Sequence, residues 1–109
     1  MAYSEELVVR IRAALKSFPE EFTEKKMFGG IAFLYHGKMT VGAINNDLMV
    51  RIHSSKIDSE LIKEYVRPMD FTGKPMKEFA FVSLEGLQNE EHLQYWIELG
   101  VEHAKSKLE

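Results

Sequence analysis

The chain has 109 residues, 45% hydrophobic and 28% charged, enough for one domain that buries about two thirds of its unfolded surface. It has no cysteine and so no disulfide framework, thiolate-held metal or thiol nucleophile, and its net charge of −3 excludes the strongly basic footprint of a typical nucleic-acid binder. Glu5, Glu6, Arg10, Arg12 and Lys16 interrupt the opening residues, so no signal peptide or membrane span is expected there and a cytoplasmic location is the expectation.

Ser4 precedes Leu7, Val8, Ile11, Ala14, Leu15 and Phe18 at helical spacing, and Pro19 ends the pattern, which predicts a first helix over about 4–17. From Lys26 to His53 the residues turn β-branched, aromatic and alternating, as a sheet requires. Strands are expected over 31–36, 39–44 and 48–53, joined by tight turns at His36-Gly37 and Asn45-Asn46-Asp47. Leu48, Val50 and Ile52 then face one way and Met49, Arg51 and His53 the other, giving one apolar and one partly polar sheet face. Ser55 with Asp58 reads as the cap of a short second helix whose stripe is Leu61, Ile62, Tyr65 and Val66 and which Pro68 stops. Residues 71–75 read as a loop, Phe79 to Leu84 as a further strand broken by Gly86, and Asn89 as the cap of a long helix burying Leu93, Trp96, Ile97, Gly100, Val101, Ala104 and Leu108. The expected architecture is an α+β two-layer sandwich, an antiparallel sheet of about five strands with three helices, forming a single domain over 1–107. Leu108-Glu109 is read as a cloning remnant without a role.

Chemistry-bearing patterns are sparse. None of the seven serines lies in Gly-x-Ser-x-Gly, so a serine triad is not expected. His92 and His103 stand eleven residues, about 16 Å, apart on one helix and cannot share an ion, while His36 and His53 end different strands, so neither metal nor cofactor is expected. Glu60 and Glu64, interleaved with Lys56, Lys63 and Arg67, read as a surface ion lattice. Trp96 and the six methionines read as core filling, or as an adaptable contact surface. Gly29-Gly30 beside Lys25 and Lys26 leaves two readings open: close backbone approach to a phosphate, or a bend that re-aims a strand. Residues 25–77 hold nine Lys or Arg against five acids, whereas the rest of the chain holds five against twelve. Lys25, Lys26, Arg51, Lys56, Lys74 and Lys77 are therefore the candidate anion-binding residues, with ordinary solubility charge as the alternative.

Lys26-Met27-Phe28-Gly29-Gly30-Ile31-Ala32-Phe33, then Arg67-Pro68-Met69 through Gly73-Lys74-Pro75-Met76 to Phe79-Ala80-Phe81-Val82, and the closing Trp96-Ile97-Glu98-Leu99 resemble the N-terminal domain of the TfoX/Sxy family over about residues 8–106. The resemblance implies an α+β domain similar to secretion-chaperone-like folds, and a bacterial protein related to regulators of competence genes. It marks Met27, Phe28, Gly29, Gly30, Gly73, Lys74 and Pro75 as signature positions and supplies no catalytic residue. Family regulators typically add a C-terminal helical domain, for which 109 residues leave no room.

The leading expectation is therefore a non-enzymatic regulatory or interaction module with a protein partner, linked to transcription or competence control. A small anion- or nucleic-acid-binding domain that uses the central basic cluster is the alternative, and an enzyme using His36 or His53 as acid or base is the third. Pairing of exposed strand edges would make a homodimer.

Overall fold

The computed structural model describes residues 3–27, 29–70 and 75–108; of Met27 and residues 69, 70 and 75–77 only the backbone course is described. Helix α1 (Glu5–Leu15) starts where the Ser4 side chain accepts a hydrogen bond from the Leu7 backbone N–H, with Glu5 and Glu6 in the first turn where the helix dipole favours them. The chain then forms β1 (Thr23–Met27), β2 (Gly30–Tyr35), β3 (Lys38–Ile44) and β4 (Asp47–Arg51), followed by α2 (Ser54–Leu61), β5 (Val66–Asp70), β6 (Pro75–Val82), a 3-10 turn over Leu84–Leu87, and α3 (Glu90–Leu108). The antiparallel sheet has the order β1-β2-β3-β4-β6-β5, so α2 carries the chain past β6 to the far edge.

This is the expected α+β class with three helices, and its sheet has six strands where about five were expected. The additional pairing comes from both edges. β1 begins ahead of the predicted sheet start and pairs Lys25 with Ala32 and Lys26 with Ile31. β5 replaces the predicted end of the second helix: Val66 is buried in the sheet, while Ile62, expected in the helix stripe, is 82% exposed. Pro68 does not stop a helix but lies in β5, an edge strand, where a residue without an N–H is tolerated. The cap of α2 is His53, whose Nδ1 accepts from the Ser55 N–H at 3.1 Å, rather than Ser55 itself. Asn89 caps α3 as expected, Oδ1 accepting from His92 N at 2.9 Å, and the helix continues through Leu108.

The helices line one sheet face. Leu7, Val8 and Ile11 of α1 and Leu93, Trp96 and Ile97 of α3 pack with Ile31, Phe33, Val41, Leu48, Val50 and Val82 in one buried cluster. A smaller cluster of strand residues, among them Ala32, Ile44, Met49 and Phe79, forms on the opposite face. What sets the height of α3 above the sheet is Gly100. A Cβ there would lie 2.4 Å from the Thr40 carbonyl oxygen, so only glycine lets the helix come this close to β3. Thr40 is itself fixed by its hydroxyl donating to Phe33 O at 2.8 Å. Because α3 touches the sheet at Gly100, the next turn, with His103, is held over the end of β3 and β4.

Candidate functional site

At that end of the sheet, Lys38 opens β3, Arg51 closes β4, and Glu78 lies in β6 at a register irregularity. Glu78 has φ of +66°, a left-handed conformation that costs of order 1–2 kcal/mol for a non-glycine residue. Its carbonyl accepts from Ile52 N at 3.0 Å, and its carboxylate reaches the helix side, 3.3 Å from His103 Nε2 and 3.6 Å from Lys107 Nζ. His103 and Lys107 are one helical turn apart on α3, so both point into the same space. Lys38, Met39, Arg51, His103 and Lys107 enclose a recess of about 260 Å³. Among the described residues three permanent cations, Lys38, Arg51 and Lys107, line the recess, and the one carboxylate beside them is that of Glu78, so the local charge is positive on a protein whose net charge is −3.

Arg51 is the unusual member. Its guanidinium stacks on Phe79, 4.2 Å from the ring centroid, and Nη2 lies 3.3 Å from His103 Nε2. Its Nε is buried and has no hydrogen-bond partner, which costs about 1–3 kcal/mol for an ordinary buried donor and more for a charged one. Burial draws the Arg51 pKa down, against the pull of Glu78. His103, 1% exposed, has its pKa lowered by burial and by Arg51, with Glu78 opposing. Burial works against the Glu78 carboxylate, but His103 and Lys107 outweigh it and hold its pKa below the usual range. Chemically, the recess is lined by cationic side chains beside a buried imidazole, and the Arg51 Nε–H lies buried at its wall without an acceptor.

The candidate anion-binding residues named from the sequence fall in different places. Arg51 is in the recess. Lys25 and Lys26 are exposed on β1, three strand positions and about 14 Å from β4, and Lys26, opposite Ile31, projects toward the helix-lined side. Lys56 is on α2, paired with Glu102 of α3 at 2.9 Å. Lys74 lies outside the described residues, as do Phe28 and Gly73, and of Lys77 and Pro75 only the position in β6 is described. Gly29 has φ of +78°, and a Cβ on Gly30 would sit 2.1 Å from Ala43 O. Met27 pairs with Gly30, so the doublet serves a hairpin turn and a close approach to β3; the irregularity in β2 is at Phe33/Leu34 instead. His36 is in the β2–β3 turn at φ of +50°, edge-on to Tyr35, and His53 is engaged as a helix cap.

Glu78, Lys38 and Lys107 were not singled out from the sequence, and His103 entered there only as a metal ligand paired with His92, a pairing its spacing excludes. One signal for them existed: His103 falls among Gly100 and Ala104 on the buried stripe of α3, a polar residue where only small apolar ones are expected.

A family model described as the TfoX N-terminal domain matches residues 5–104. The chain belongs to that family. The match covers nearly the whole chain and takes in Lys38, Arg51, Glu78 and His103, ending before Lys107. No curated protein and no solved structure matches the chain. Among the described residues, no helix is long and apolar enough to cross a membrane, and no group of three or more His, Cys, Asp or Glu could hold a metal ion.

Proposed function

We propose that this chain is a non-catalytic regulatory module that acts by holding an acidic segment of a protein partner, one carboxylate seated in the recess at Arg51. Membership of the TfoX N-terminal domain family supports the regulatory character and the link to competence control. The observation that carries the binding mode is the buried Arg51 Nε with no acceptor, in a recess with surplus positive charge. A carboxylate at Nε would satisfy the donor and offset that charge together. A protein ligand is favoured over nucleic acid because the site is one small recess. Nucleic-acid backbones are tracked by a row of cations, and Lys25 and Lys26 stand three strands away.

Amide chemical-shift mapping separates the two. A short acidic peptide is expected to give saturable shifts centred on Lys38, Arg51 and His103. A short DNA duplex is expected to leave those amides in place. Shifts from the duplex centred on Lys25 and Lys26, with none from the peptide at the recess, would overturn this reading in favour of nucleic-acid binding.

A further inference from the structure

His103 Nε2 stands 3.3 Å from Arg51 Nη2 and 3.3 Å from Glu78 Oε2. A single ring nitrogen can serve only one of them. As a bare lone pair it accepts from Arg51, and with a proton it donates to Glu78. We infer that His103 is a proton-operated latch on the recess: neutral, it engages Arg51; protonated, it turns to Glu78 and leaves the guanidinium to a carboxylate ligand, so that carboxylate binding takes up a proton. The inference rests on the reading of the recess as a carboxylate site and adds its regulation.

The surroundings of His103 set the direction. Arg51 from β4 and Lys107 one turn along α3 disfavour the protonated ring, Glu78 from β6 favours it, and Lys38 from β3 adds a further positive charge at the recess wall. Burial adds to the first group, and the balance keeps the imidazole neutral at neutral pH. A carboxylate bound at Arg51 offsets the strongest of the opposing charges. By linkage, an anion that eases protonation must bind more tightly where the proton is available. The latch also accounts for retaining Glu78 at a strained backbone position, since without its carboxylate the protonated ring would have no acceptor.

The test is the affinity of acetate, which stays ionised over the range, at about pH 6 and about pH 8 and at constant ionic strength. Roughly tenfold tighter binding at the lower pH is expected, given that one linked proton changes affinity by up to tenfold per pH unit. In His103→Gln the amide oxygen keeps accepting from Arg51 at every pH, so acetate should bind about as weakly as to the native chain at about pH 8, with a flat pH profile. Should that variant not fold, Glu78→Gln serves: without the carboxylate that favours the protonated ring, His103 stays on Arg51, so acetate should bind more weakly than to the native chain at about pH 6 and lose most of the pH dependence. Acetate binding that is equal at both pH values would overturn the latch and leave the carboxylate site standing. No acetate binding at either pH would overturn the site. In the ligand-free protein, nitrogen shifts of the ring report the latch separately: Nε2 is expected to be unprotonated at about pH 8, and an Nε2–H tautomer there would overturn the inference.

Discussion

Near the start of α3, Tyr95 donates to the buried Glu60 and Lys63 Nζ donates to the other oxygen of the same carboxylate at 2.8 Å, while that ammonium also lies over the Tyr95 and Trp96 rings. Beside it, Trp96 Nε1 donates to Gly86 O at 3.1 Å. Near the other end of the same helix, Arg51 keeps a buried Nε without an acceptor, and His103 has two partners for one nitrogen. Both clusters set a buried ionisable group, Glu60 in one and His103 in the other, beside or on α3, but only the first is closed. Burial works against the Lys63 ammonium, yet its hydrogen bonds to Glu60 and Tyr95 hold its pKa above the ordinary value. At His103 burial prevails and the pKa falls. Closed polar clusters fix a fold, whereas an incomplete one at a recess is the form a binding site takes before its ligand arrives.

The largest expected effect comes from Gly100, which lies between Tyr95 and His103 on α3 and lets that helix approach β3 closely. Gly100→Ala would place a methyl 2.4 Å from the Thr40 carbonyl and lift α3, costing about 3 kcal/mol by urea denaturation and removing the acetate response as well. Next, Glu60→Gln opens the closed cluster by removing the charge that Lys63 pairs with, at an expected loss of about 1–2 kcal/mol. An unchanged urea midpoint there would mean that the two clusters are equally loose.

A smaller effect is expected from pH. Because the folded pKa of His103 lies below its unfolded value of about 6.5, the unfolded chain takes the proton first as pH falls. The stability contributed by the neutral ring is thus complete above about pH 6.5 and is lost as pH falls through the folded value. Melting temperatures should decline over that window in the native chain and decline less in His103→Gln. The smallest effect belongs to Arg51→Met, which removes the orphaned donor and keeps the apolar stem against Phe79, so stability should stay within about 0.5 kcal/mol while acetate binding is lost.

Periodicity alone revealed α1, the β2–β3 and β3–β4 hairpins and α3, because each has a stripe or an alternation matched to one buried face and turn or cap residues at its ends. It failed at β5, where Val66 continues the spacing of the preceding helix and Pro68 reads as a stop; only the partner strand β6 makes an edge strand of them. The recess was legible at one residue. Arg51 was one of six candidate cations, placed on the partly polar sheet face, but Lys38, Glu78 and His103 come from three elements, and His103 reaches the recess because Gly100 lets α3 descend onto β3. Distances in sequence of 13, 27 and 52 residues from Arg51 carry no local pattern to read.

The most direct measurement is the Nε–H signal of Arg51 in the nitrogen-15 spectrum as sodium chloride is exchanged for sodium acetate at constant ionic strength. A saturable downfield shift of that signal is expected, with the Lys63 ammonium and the Trp96 indole unmoved. An Arg51 signal that does not move, or that moves in step with those two groups, would contradict an anion seat at the open end of α3.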